Sequence, residues 1–257
     1  MLIDVHCHLN DPRLIDDAPS IVADFPKDGL LAVVNAAYDR ESAQIGAELA
    51  ARYDSVYATV GIHPHDAVFA VPEDYEVFAE LLKRPKILAV GETGLDYFYD
   101  KSPRDIQRRV FREHLELARA AHKPVVLHIR DAYGDALDIL KDARHCLEKG
   151  VLLHCYGGGA EAVKDFSRFD CFYSFGGAVT FNNGEANRAS LAAVPRDRLL
   201  LETDCPYMTP VPFRGQLNYP KHVRLVALKV AEVLGISVEE VEELNKQNAE
   251  AFFKVRF

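Results

Sequence analysis

The 257-residue chain has five cysteines, Cys7, Cys146, Cys155, Cys171 and Cys205, an odd number with no CxxC pair among them. That argues against a disulfide framework. Cys7, Cys155 and Cys205 read as small buried hydrophobes facing the outer helices of the fold. No apolar stretch approaches the roughly 18 residues of a membrane span, so no membrane segment is expected. The N-terminus shows no basic region followed by an apolar core, which predicts a chain without a signal peptide, in the cytoplasm. Positive charge is also short: 30 Lys and Arg face 39 Asp and Glu, a formal charge of −9. Proteins that hold long nucleic acid over their general surface are usually basic. Extended duplex binding is therefore disfavoured, and a phosphate substrate must be drawn in by local charge, bound cations being the obvious source. There is no low-complexity segment, internal repeat or linker, and no feature calling for an obligate protein partner. A single domain over 1–257 is expected.

What the chain does have is alternation. Strand-like segments lie at Leu2–His8, Leu30–Ala37, Val56–Ile62, Ile87–Gly91, Val125–Ile129, Val151–Tyr156, Cys171–Phe175 and Leu199–Thr203. They are rich in Val, Ile, Leu and Phe rather than alternating, as parallel strands covered on both faces should be. Helical patterns separate them, among them Arg40–Tyr53 and Arg104–His122, the latter stopped by Pro124. Ser237 with Glu240 has the form of a capping box opening a last helix toward Phe253. Eight strand–helix units predict an α/β fold, a (β/α)8 TIM-type barrel with an extra C-terminal helix. An open doubly wound sheet would want a Gly-rich phosphate loop after its first strand, and none is present.

The ends of these strands carry the chemistry. His6 and His8, one residue apart, point the same way from a strand. Other strands run into Glu92, His128, His154 and Asp204. Barrel enzymes place their reacting groups at the C-terminal ends of strands, so these residues are expected to converge. Four imidazoles and two carboxylates exceed one tetrahedral zinc. They suit two divalent cations: His6, His8 and Asp204 on one, His128 and His154 on the other, Glu92 on both. Nitrogen-rich ligation favours Zn, Mn, Fe or Ni over Ca, and makes Mg unusual.

The motifs HCH at 6–8, GIHPH at 61–65, GETGLDY at 91–97, HIRDA at 128–132, HCYGG at 154–158 and ETDCPYMTP at 202–210 resemble the TatD family of metal-dependent hydrolases. The resemblance extends to RGQLNYP at 214–220 and NAEAFF near the end. It implies a TIM-type barrel of the amidohydrolase superfamily, two divalent metals, and hydrolysis; several members are deoxyribonucleases of 3′-to-5′ exonuclease character. The family's ligands match the six residues reached from strand ends. Relatives with a bridging carbamylated lysine would put Lys at position 92, and the nearby Lys86 is at the wrong end of its strand. The polymerase-and-histidinol-phosphatase group is a distant alternative. On this reading Glu92 anchors both cations and Asp204 both ligates and takes the proton from the attacking water.

Around them, the resemblance associates His63 with substrate contact, and His65 is its neighbour or an ordinary loop histidine. Arg130 reads either as a phosphate clamp or as an ion-pair partner of Asp131, and Arg214 as a second clamp or a solvated loop residue. Asp96 either orients a ligand or forms a turn. Tyr97, Phe98, Tyr99 and Tyr207 are candidate stacking platforms. The loops at 215–220 and 179–183 carry fewer cations than family members often show, which weakens steering of a polyanion. Three readings follow: hydrolysis of phosphodiesters in single-stranded DNA or oligonucleotides; the same chemistry on a carboxylic ester, an amide or misacylated tRNA; or a metal-stabilised binding barrel without activity.

Overall fold

The computed structural model describes all 257 residues. Its strands are β1 Leu2–Cys7, β2 Leu30–Asn35, β3 Val56–Val60, β4 Ile87–Asp96, β5 Val125–Arg130, β6 Val151–Leu153, β7 Cys171–Phe175 and β8 Leu199–Leu201. They lie in sequence order, each parallel to the next. Two backbone bonds join β8 to β1: Asp204 N–H to the His6 carbonyl at 2.9 Å and His8 N–H to the Cys205 carbonyl at 2.7 Å. The Asp4 carboxyl reinforces this seam by accepting the Thr203 N–H at 2.9 Å. The result is the expected (β/α)8 barrel.

The helices are α1 Ala18–Ala23, α2 Phe25–Asp28, α3 Arg40–Arg52, α4 Pro72–Leu81, α5 Arg104–Ala121, α6 Tyr133–Asp142, α7 Gly159–Phe166, α8 Glu185–Ala193, α9 Val223–Leu234 and α10 Val238–Phe253. Helix α10 is the extra C-terminal helix, opened by the Ser237–Glu240 capping box. Its Ala249, Phe252 and Phe253 pack with Ile3, Val5, Leu88, Val126, Phe172 and Leu200 in one cluster. These strand residues lie at or near strand starts, so α10 plugs the barrel at the end opposite the catalytic candidates. The Asn245 side chain accepts the Ile3 N–H at 2.8 Å, and Asn248 donates to the Arg196 and Leu199 carbonyls. A larger cluster of 58 buried residues joins the outer strand faces to the helices. Apolar burial there supplies the main folding force, and leaves the mouth free to hold polar groups.

The strands start where expected, but only β7 also ends there; β1, β2 and β3 stop one or two residues early, β5 runs one residue on, and three further differences shape the mouth. β6 stops at Leu153 and β8 at Leu201, because Cys155 (φ 44°) and Asp204 (φ 55°) are left-handed and leave the ladder. β4 instead runs on through Glu92 to Asp96. Its Gly91 (φ 149°) and Gly94 (φ 139°) make this possible: a Cβ at 91 would stand 2.4 Å from the Val126 carbonyl oxygen, and one at 94 would stand 2.1 Å from that of His128. Only glycine permits so close an approach of β4 to β5.

One buried histidine fixes the loop that follows β3. His114 of α5 is fully buried; its Nε2 accepts the Ile62 N–H at 3.0 Å, and its Nδ1–H donates to the Val110 carbonyl at 2.8 Å. This pairing requires the neutral ring, and burial pulls its pKa down from 6.5 to about 4. Between those values the unfolded chain binds the extra proton, so stability falls as pH drops from 6.5 toward 4. The full loss is about 3 kcal/mol. Urea unfolding at pH 7 and pH 4.5 checks this: His114→Gln should lose markedly less stability on acidification than the wild type, and equal losses would refute the assignment.

Candidate metal centre

At the C-terminal end of the barrel, Glu92 sits 3% exposed with imidazoles on both sides. Its two oxygens face different sets. Oε2 lies 3.3 Å from His6 Nε2 and 3.7 Å from His8 Nε2. Oε1 lies 2.8 Å from His154 Nε2, 2.9 Å from His128 Nδ1 and 3.5 Å from His63 Nε2. Asp204 joins the first set, with Oδ1 3.2 Å from His8 Nε2 and 3.9 Å from His6 Nε2. The structure thus brings together all six residues picked out by strand ends, with His6 and His8 nearest one oxygen of Glu92 and His128 and His154 nearest the other. His6 and His8 share a face, as alternation on β1 requires.

The electrostatics follow from this crowding. Burial alone would push the Glu92 carboxyl up, but His154, His63, His6 and His128 outweigh it and hold it well below the usual carboxylate range. Asp204 is likewise lowered, burial being overcome chiefly by the His8 hydrogen bond. The rings of His6 and His154 stack at 3.9 Å, 13° from parallel, so one charge there opposes another. Accordingly burial and the neighbouring His154 lower the pKa of His6. For His154, burial is outweighed by Glu92 and Glu202, which raise it well above the ordinary histidine value. Burial keeps His63 well below its ordinary value.

Further carboxylates stand behind the imidazoles. Asp96, fully buried, lies 3.0 Å from His128 Nε2 and 3.0 Å from His65 Nε2. It also accepts the Phe98 and Tyr99 N–H groups, so it both forms a turn and orients His128. Gln107 of α5 pins its backbone on both sides, accepting the Asp96 N–H at 2.8 Å and donating to its carbonyl at 3.2 Å. Glu202, also fully buried, points Oε1 at His154 Nδ1 from 3.4 Å while Ser174 donates to its other oxygen. Asn218, buried in the loop after β8, donates to the Thr203 and Tyr207 carbonyls at 2.9 and 2.6 Å and so holds the turn that carries Asp204.

Three of the buried atoms, His6 Nε2, His154 Nδ1 and Glu202 Oε1, have no hydrogen-bond partner, against the rule that buried polar groups pair. Compact sets of donors recur within this centre: His6, His8 and Glu92; His63, Glu92 and His128; His6, His154 and Glu202. Spare lone pairs on imidazole nitrogens and carboxylate oxygens fit divalent cations of the zinc, manganese, iron and nickel class.

The family model described as TatD related DNase matches residues 3–254. The chain belongs to the TatD family of metal-dependent hydrolases. It is 38% identical over 255 residues to the uncharacterized metal-dependent hydrolase YabD of Bacillus subtilis, covering 99% of this chain and 100% of that protein. It is 34% identical to the uncharacterized metal-dependent hydrolase YcfH of Escherichia coli K12, covering 99% and 96%. The crystal structure of YjjV, a TatD homologue from Escherichia coli K12, superposes with a TM-score of 0.92 at 28% identity, over 99% of this chain and 98% of that one.

Around this TatD centre the rim residues sort themselves. His63 belongs to the cluster, and His65 is tied to Asp96 rather than loose on the surface. Arg130 makes no ion pair with Asp131; its guanidinium lies over the rings of Phe98 at 3.9 Å and Tyr99 at 4.8 Å. Arg214 covers Phe181 at 3.8 Å. Of the proposed platforms, Phe98, Tyr99 and Tyr207 are about half exposed. Tyr97 is less exposed than these, and its hydroxyl donates to Asp135. Cys7 and Cys205 face the outer core as expected. Cys155 does not: its left-handed backbone turns it out of that core, and burial together with Glu202, Asp204 and Glu92 pushes its thiol well up.

Glu202 went unrecognised in the sequence, although it directly follows β8 and sits two residues before Asp204. Outer partners of this kind typically govern metal affinity by roughly 10–100-fold. Glu202→Gln should therefore weaken divalent-cation uptake by roughly that factor, measured as metal content after equilibrium dialysis, while leaving the fold intact by circular dichroism. Unchanged affinity would remove Glu202 from this role.

Proposed function

We propose that this chain is a phosphodiesterase working with two divalent cations, a deoxyribonuclease that trims single-stranded DNA or short oligonucleotides from the 3′ end. The observation that carries the reading is the split of Glu92, one oxygen toward His6 and His8, the other toward His128 and His154. On this reading His6, His8 and Asp204 hold one cation, His128 and His154 the other, and Glu92 both. Cations bound there supply Lewis acidity and lower the pKa of water. The protein's own groups do the rest. Asp204 is kept ionised beside His8 to accept a proton. Asp96 holds the ring of His128 in place, and Glu202 faces that of His154 from 3.4 Å. His63 and Arg130 offer donors to phosphate oxygens.

For the substrate, the rim supports nucleic acid over a small ester. Tyr99 stands 5.3 Å from His65 on one side of the cluster, and Tyr207 stands 6.1 Å from His8 on the other. Half-exposed aromatic rings beside a phosphate-cleaving centre give bases a surface to stack on. Arg130 over Phe98 and Tyr99 adds guanidinium charge at the first place, while Arg13, over Tyr207 at 4.5 Å, is paired with Asp11 at 2.8 Å. This local charge answers the acidity of the chain as a whole. The description of the matching family, TatD related DNase, points the same way. No helix is long and apolar enough to cross a membrane, in keeping with action in the cytoplasm.

Hydrolysis of a 3′-labelled single strand with added Mn, Zn or Mg, beside a simple phosphodiester and a carboxylic ester, is the direct test. Release of the label as mononucleotide is expected; cleavage of the ester alone would overturn the phosphodiesterase reading. Glu92→Ala should lose bound metal and activity together, and an active variant with full metal content would refute its bridging role. Arg130→Ala removes one charge-assisted contact of about 1.5–3 kcal/mol. It should lower kcat/KM for the strand by about ten- to a hundredfold while leaving metal content unchanged.

A further inference from the structure

A second group of metal-binding side chains lies outside the barrel. Glu116 stands toward the end of α5, and His145 and Cys146 form the short turn that follows α6. One ligand atom from each lies within 4.8 Å of the others. Helix α5 runs back from the mouth to the start of β5, so this cluster is near the opposite end of the barrel from Glu92. None of the three residues touches the centre described above.

The spacing is that of a site. His145 Nε2 lies 3.1 Å from Glu116 Oε1. Two bonds of about 2.0–2.1 Å meeting at a tetrahedral metal hold nitrogen and oxygen about 3.3 Å apart, so a cation replaces the shared proton with little movement. The other oxygen, Oε2, accepts the Arg119 Nε–H at 2.8 Å, which fixes the carboxylate in the way outer partners orient metal ligands. Cys146 is buried and its neighbours are exposed, so the thiol forms the floor and the other two the walls. The cleft above it, about 380 Å³, is lined by His145 and Cys146 together with Arg119, His122, Glu148 and Lys149, and water from it completes four ligands.

We propose that Glu116, His145 and Cys146 form a peripheral site for a zinc-class divalent cation, separate from the hydrolytic centre, that clips α5 to the α6–β6 connection. Mixed sulfur, imidazole and carboxylate donors select zinc or cobalt over magnesium and calcium.

Cobalt is the probe, because a thiolate ligand gives a charge-transfer absorption that the imidazole and carboxylate donors of the barrel centre do not. The metal-stripped full-length chain is titrated with Co²⁺, and uptake and spectrum are recorded together. The wild type should show the thiolate band and bind one equivalent more than Cys146→Ser or His145→Ala, both of which should lose the band. Cys155→Ser, which alters the thiol at the barrel mouth, should keep it. Arg119→Ala should keep the band with affinity lowered roughly tenfold. His145 is largely exposed, so His145→Ala reports even if Cys146→Ser folds poorly. Absence of the band in the wild type, its loss on Cys155→Ser, or equal cobalt uptake by wild type and His145→Ala would each overturn the site.

Discussion

A carboxylate buried among five imidazoles is the constraint around which this barrel is arranged. Removing the Glu92 charge from water is costly, and the cost is met only if opposite charge or hydrogen bonds surround both of its oxygens. His6 and His8 from β1, His63 after β3, His128 from β5 and His154 after β6 supply them. No two neighbours in the sequence could do this; five separate parts of the chain must meet. A parallel barrel delivers them, because every strand ends at the same mouth.

Most of the surrounding architecture can be understood as keeping that meeting point in register. Gly91 and Gly94 let β4 press against β5, which carries Glu92 to His128. Gln107 holds the backbone of Asp96, and Asp96 holds His128. Asn218 and the Asp4 carboxyl fasten the turn on which Asp204 stands. His114 anchors the strand end that leads to His63. The apolar clusters inside and outside the barrel provide the stability that a polar mouth consumes, and α10 closes the opposite end, so the polar cavity opens one way only.

The six central residues were legible because each ends a run of Val, Ile or Leu, and a polar residue in that position has few structural reasons to be there. Asp96 was half-legible. Gly91 reads as a strand end, whereas it and Gly94 are glycines that a close backbone demands; reading the strand through them puts 92, 94 and 96 on one face. Glu202 directly follows the apolar run of β8 and was hidden by standing so close to the more conspicuous Asp204. Cys155 was misplaced for the converse reason: alternation was carried past the point where its own left-handed backbone had turned the chain. Asn218 had no local signal, since its role is to bond carbonyls eleven and fifteen residues away.

Periodicity and the residue at each strand end determined, from the one-dimensional chain alone, that there would be eight parallel strands and which side chains would gather at their ends. These are local matters, governed by how backbone geometry directs successive side chains. Tertiary structure alone decided which oxygen of Glu92 faces which imidazole, which carboxylate stands behind each ring, and which aromatic rings at the rim remain open to a ligand. Those depend on distances of a few tenths of an ångström between strands far apart in sequence, set by register, left-handed turns and the packing of α5 and α10 around the barrel.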